Sequence, residues 1–207
     1  MKRTIAIMIL ALAMSFAYAA DIRTLFINMP DTIMPALTKS ERMDFLDYID
    51  SGMKARVRNK LGGESEMTEL SDNSLTVRTS RSGKLQMALF QRKDGTVLIC
   101  LIKTVTARFD DSLIRFYNED WTPVESESLI ELPKFDDYLT KQALKHGCLE
   151  LEIKSILRLQ SAVAVDGGLE FRYTSLDYIG EDADRFRSYF KADPVRYVWN
   201  GKRFKRK

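Results

Sequence analysis

Apolar and polar residues repeat with two different periods along this chain, and each change of period marks an element. Thr38-Lys39-Ser40-Glu41 has the form of a capping box. Met43, Phe45, Leu46 and Ile49 follow it, which predicts a helix with one apolar face that stops at Asp50-Ser51-Gly52. From Met53 the period drops to two, with Met53, Ala55, Val57 and Leu61 alternating against Lys54, Arg56, Arg58 and Lys60. That alternation suits a strand with one basic face, and Gly52 favours extended chain over a continued helix. Residues 66–124 then read as strands: MTEL, SLTVRTS, GKLQMALFQ, Thr96 to Thr106 and Ser112 to Tyr117. Thr96 to Thr106 carries apolar residues at both parities, so it is expected to be a central strand buried on both faces.

A second helix is predicted from Pro133 through FDDYLTKQALKHG. Strands follow over Ser155 to Val165 and Leu169 to Thr174, joined at Asp166-Gly167-Gly168. A short helix over 182–191 places Ala183, Phe186 and Phe190 on one face. The chain closes on RYVWNGKRFKRK, whose last six residues include five basic ones. Asn200-Gly201 is a strong two-residue turn signal, so this segment predicts a hairpin rather than a free basic tail. A two-residue turn puts Trp199 opposite Lys202, Val198 opposite Arg203 and Tyr197 opposite Phe204. It also puts Val195, Tyr197, Trp199 and Phe204 on one face, and Lys and Arg on the other as edge protection. The fold class is therefore α+β, mainly antiparallel sheet with two to three helices.

Two short echoes recur. Phe45 to Ile49 resembles Phe135 to Leu139, and Ile114-Arg115-Phe116 resembles Val195-Arg196-Tyr197. Either the matches are coincidence or the chain holds two tandem helix-plus-sheet units, over 20–125 and 126–207, packed as one body. In the tandem case the sheets would form a continuous curved surface.

The N-terminus adds a destination. Lys2 and Arg3 precede an apolar run from Ile5 to Phe16, and Ala17-Tyr18-Ala19 has the A-x-A form of a cleavage site. Residues 1–19 thus read as a secretory signal peptide, too short and wrongly flanked for a membrane span. The expectation is export, to the periplasm or outside the cell, after cleavage near Ala19. Residues 1–19 hold two of the 32 basic residues and none of the 29 acidic ones, so the remainder has a formal charge of +1. A near-neutral balance exerts no global pull on nucleic acid or anionic lipid.

No pattern of side chains spells out a reaction. His146 is the single histidine, it lies two residues from Cys148, and no G-x-S-x-G is present. Zinc would need more His and Cys at workable spacing. Glu181, Asp182 and Asp184 lack the loop glycine and alternation of calcium loops. Asp110-Asp111 and Asp136-Asp137 are paired carboxylates, but adjacent residues diverge on strand and helix alike. Gly62-Gly63 and Gly167-Gly168 match no phosphate-loop motif and read as turns. Cofactors are accordingly expected to be none. Cys100 and Cys148 in an exported chain are open to a disulfide or to two buried thiols.

The phrases LFINMPDTIMPALTKSERMDFLDYIDSG, NKLGGES, VLICLIKTV, DSLIRFYNEDWTPV and WNGKRF carry a resemblance. Together with the signal peptide they resemble an uncharacterised secreted family of Bacteroidetes, a domain of unknown function, over Asp21 to Phe204. The tandem arrangement is also similar to that of the two-repeat β-lactamase inhibitor protein. The family resemblance implies export and no activity. What remains is a protein-binding or envelope-adaptor module that contacts another envelope or secreted protein through Trp121, Trp199, Arg115, Arg196 and Arg203, since aromatic and arginine side chains dominate interfaces. The alternatives are an envelope hydrolase using paired carboxylates and a small-ligand carrier.

Overall fold

The computed structural model describes residues 21–145, 159–176, 178 and 183–207. Residues 1–20, with the segment read as a signal peptide, and His146, Cys148, Glu181 and Asp182 lie outside the described residues.

Helix α1 (Ile22–Ile27) is capped by Asp21, whose side chain accepts from the Arg23 and Thr24 amides. Helix α2 (Lys39–Asp50) begins with the expected capping box between Thr38 and Glu41. Its buried stripe differs from the predicted one. Arg42, Phe45 and Leu46 are buried, whereas Met43 is 46% exposed. Arg42 takes the inward position because four acceptors surround its guanidinium and take five hydrogen bonds from it. It donates to the carbonyls of Ile27, Met29 and Leu37 and to Asp31, the last at 3.0 Å. One buried cation therefore ties the whole α1–α2 connection together.

Seven strands form an antiparallel meander in sequence order: β1 (Arg56–Arg58), β2 (Glu64–Leu70), β3 (Ser74–Arg78), β4 (Gly83–Gln91), β5 (Val97–Thr106), β6 (Asp110–Tyr117) and β7 (Pro123–Val124). The period-two segment after Met53 yields only three paired residues, with Ala55 and Val57 inward and Met53 and Leu61 exposed. Val97 to Ile102 are all buried, so β5 is the expected two-faced central strand.

The predicted second helix is broken. A 3-10 turn covers Phe135–Tyr138, Leu139 is extended and bridges to Phe190, and α4 (Lys141–Lys145) starts afterwards. The chain also forms α3 (Ser126–Leu129) and α5 (Ala183–Arg187). Strands β8 (Gln160–Val165), β9 (Gly168–Tyr173), β10 (Val195–Trp199) and β11 (Phe204–Arg206) make a second, separate antiparallel sheet.

The closing hairpin is present with a different register. Trp199 pairs with Phe204, Val198 with Lys205 and Tyr197 with Arg206, so the loop has four residues, not two. Asn200 causes this. Its side chain accepts from the Lys202 and Arg203 amides at 3.0 and 2.9 Å, which wraps two further residues into the turn. Gly201 has φ +85° and accepts from the Lys93 amide at 3.1 Å. A shift of two preserves side-chain parity, so Val195, Tyr197 and Phe204 still face inward together.

The layers follow from which face each residue serves. On one face of the large sheet Leu75, Val77, Leu85, Met87, Ile99 and Leu101 pack under α1 and α2. On the other, Ala88, Phe90, Leu98, Cys100, Ile102 and Phe116 pack against Ala162, Ala164, Leu169, Phe171, Val195, Tyr197 and Phe204 of the small sheet. The order is helices, seven-stranded sheet, four-stranded sheet. The sheets are stacked rather than joined edge to edge, so no continuous curved surface forms. The first echo, Phe45 to Ile49, lies in a 12-residue α-helix and the second in a 3-10 turn.

Replacing Arg42 by Leu strands the carbonyls of Ile27, Met29 and Leu37, and each acceptor buried without a donor costs about 1–3 kcal/mol. The urea midpoint should fall accordingly, and Arg42→Lys should recover only part, because an ammonium cannot span the same acceptors. An unchanged midpoint would show that these carbonyls find other donors.

Candidate binding cleft

The small sheet stops short of the far strands of the large one. Its edge strand β8 lies across β4, β5 and β6 and is held there by side chains. The Gln86 amide donates to the Ala164 carbonyl at 3.1 Å and accepts from the Ala164 amide at 2.8 Å. Ser112 accepts from the Ala162 amide at 3.0 Å. Beyond this seam the β8–β9 turn and the end of β10 overhang β3 and β4. The result is an open cleft of about 530 Å³. Its floor is Ala88 to Gln91 with Asn73 and Ser74, and its wall is Ala164 to Gly167 with Asp166. Gly168 lets β10 run this close, because a Cβ there would sit 2.0 Å from the Tyr197 carbonyl oxygen.

Trp199 closes one end. It is half-buried, with its ring 5.9 Å from that of Phe90 and 4.8 Å from that of Phe204, and its indole N–H donates to the Gln91 carbonyl at 2.6 Å. The ring is thus fixed in place while part of it lines the cleft. A rigid aromatic beside Asn73, Ser74, Gln91 and Asp166 offers an apolar surface ringed by donors and acceptors, the composition of a specific binding site.

The other sequence-predicted contact residues scatter. Trp121 is 8% exposed and packs against Tyr117 on the helix side, at a left-handed φ of +66°. Arg115 is exposed and pairs across from Leu101, whose side chain serves that same helix-side face. Arg196 lies on the outer face of the small sheet, with its Nε 2.8 Å from Glu170. Arg203 is in the closing loop, half-buried beside a separate pocket. Only Trp199 therefore enters the cleft. Cys100 is a fully buried free thiol, and burial pushes its pKa up; its proposed partner Cys148 lies outside the described residues.

Sequence reasoning missed Gln86, Asn73 and Asp166. Gln86 was discoverable: it is a polar residue on a strand face it shares with Ala88 and Phe90, and such residues need buried partners. Asp166 was read only as a turn residue, and nothing local signals that its turn meets the one at Asn73.

The carboxylates that show a shift all move down. Burial alone would raise Glu66, but hydrogen bonds from Lys54 and Arg56 and the charges of Lys54 and Arg78 outweigh it. Burial would likewise raise Asp137, yet Arg206 and the Lys134 amide hold it below the usual range. Among the described residues no three of His, Cys, Asp or Glu gather closely enough to hold a metal.

With this geometry in view, the relatives can be placed. Residues 14–204 match the model of a family described as "Protein of unknown function (DUF3256)". The chain belongs to that family. Among solved structures the chain is similar to a domain of an uncharacterized protein from Porphyromonas gingivalis W83. The two share 22% identity with a TM-score of 0.75, over 88% of this chain and 97% of that one, a likeness of fold. No curated protein matches the chain.

Depressed carboxyl groups stabilise the fold above their unfolded pKa, and that contribution is lost as pH falls through the folded value. For Asp137 this window lies in acid, below the ordinary carboxylate value of 3.8. Arg206→Gln should therefore raise the NMR titration midpoint of Asp137 toward that value and shrink the part of the stability that Asp137 loses in acid. A midpoint that stays put would mean Arg206 is not its principal partner.

Proposed function

We propose that this DUF3256 protein is a non-enzymatic binding module that works after export, in the periplasm or outside the cell, and holds a segment of another exported protein in the cleft at Trp199. The observation that carries this reading is the cleft itself, where two sheets part around an anchored, partly open indole. Aromatic side chains fixed in such positions lose little entropy on binding and serve as interface anchors. The N-terminal A-x-A signal supports export. A formal charge of +1 after residue 19 supports neither nucleic acid nor bulk anionic membrane as the partner.

The carboxylates argue against the hydrolase alternative. A glycosidase-type general acid must be held protonated near neutral pH by an environment that raises its pKa. Asp31, Asp50, Glu66, Asp94, Asp120 and Asp137 are all lowered. Asp166 is the one acidic side chain lining the cleft among the described residues, with no second carboxyl facing it.

Photo-crosslinking in cells, with the reactive residue placed at Asn73 or Asp166, should yield one discrete adduct with an exported protein. Trp199→Ala should abolish it without unfolding the chain. The same residue at Arg115, on the helix side, should give none. No adduct from the cleft, or equal adducts from both sides, would contradict the assignment.

A further inference from the structure

A second pocket, independent of the Trp199 cleft, lies between the 3-10 turn and the closing hairpin. It measures about 290 Å³ and is lined on its charged side by Glu131, Lys134, Asp137, Arg203, Lys205 and Arg206. Its two carboxylates are already committed. Glu131 is 3.0 Å from the Lys134 ammonium, and Asp137 is paired with Arg206 while accepting from the Lys134 amide at 2.7 Å. Lys134 and Arg206 are thereby matched, and Lys205, opposite Val198 in the hairpin register, directs its side chain to the outer face, so Arg203 is the one unmatched positive charge on the pocket side.

Arg203 stands out within this set. Its guanidinium makes no hydrogen bond or ion pair with any described residue, and its Nε is sealed from solvent without an acceptor. An arginine left in that state forgoes several charge-assisted bonds. The backbone beneath it is nonetheless fixed, because Asn200 accepts its amide at 2.9 Å. The opposite wall is tied to the same hairpin by Tyr197, whose hydroxyl donates to the Glu131 carbonyl at 2.7 Å. The pocket is preorganised, and its one unspent side chain is a planar fork suited to two oxygens of a tetrahedral anion.

We propose that this pocket binds a phosphate group, as a phosphomonoester carried by a small molecule or by a lipid headgroup. Two oxygens of a phosphate match the open fork of Arg203, and the space holds the phosphate and part of the group that bears it. Binding should weaken as pH falls below about 6, where a phosphomonoester takes up its second proton.

The test is titration of isotope-labelled protein with inorganic phosphate at constant ionic strength, read by amide chemical shifts. Saturable shifts are expected at residues 203–206 and 134–137. Arg203→Gln should weaken binding at least tenfold; because Arg203 donates to nothing, the variant should keep its fold, which the unperturbed shifts elsewhere will report. Arg196→Gln, on the outer face of the same sheet, should leave binding unchanged. Cosedimentation with phosphatidylcholine vesicles containing phosphatidic acid, lost in Arg203→Gln, would assign the lipid source. Phosphate binding without vesicle capture would assign a soluble ligand. Absence of saturable shifts, or equal weakening by Arg196→Gln and Arg203→Gln, would overturn the proposal.

Discussion

The two sheets are held in position by side chains that act as a strand, Gln86 above all. Gln86 presents one donor and one acceptor to the peptide of Ala164 and so supplies the hydrogen bonds that a neighbouring strand would have made. Each such bond contributes only about 0.5–1.5 kcal/mol net, whereas breaking the pair leaves buried groups that cost about 1–3 kcal/mol apiece. The asymmetry makes the contact a position lock more than a source of stability. Ser112 adds an acceptor for the Ala162 amide one pleat away. Together they silence the open edge of β8, which would otherwise invite pairing with another chain.

The lock fixes everything downstream. With β8 pinned over β4 to β6, the apolar inner faces of both sheets are covered, which explains why β5 tolerates apolar residues at both parities. The small sheet cannot slide outward to cover β3, so its overhang leaves the Trp199 cleft open. Phe90, Phe116, Trp199 and Phe204 fill the corner beside that cleft with ring centroids 4.8 to 5.9 Å apart. The closing hairpin is carried along by this cluster and by its bonds to Gln91 and Lys93. The phosphate-type pocket exists on the far side of the same hairpin, so both candidate sites depend on where the small sheet is docked.

Local patterns revealed what local forces decide. The capping box, the two-faced strand β5 and the inward set of Tyr197 and Phe204 were all legible, because caps and periods act within a few residues. What depended on distant partners was not. The choice of Arg42 over Met43 for the buried stripe of α2 rests on carbonyls up to 15 residues away. The Asn-Gly signal was read as a two-residue turn, but the Asn200 side chain and the Lys93 amide enlarge it. The second helix breaks because Leu139 bridges to Phe190, 51 positions on. The cleft escaped notice for the same reason, since Asn73, Asp166 and Trp199 belong to turns and strand ends that only the stacking of the sheets brings together.

The most direct test of this account is amide hydrogen exchange at Ala162 and Ala164 in Gln86→Leu. Leucine fills similar space but offers no polar atoms. If Gln86 locks β8 in place, the Ala164 amide should exchange at least tenfold faster, Ala162 should follow as Ser112 loses its alignment, and the core amides of β5 should stay protected. Exchange at Ala164 unchanged from the parent protein would show that the small sheet is held by apolar packing alone, and the lock would no longer explain the placement of either site.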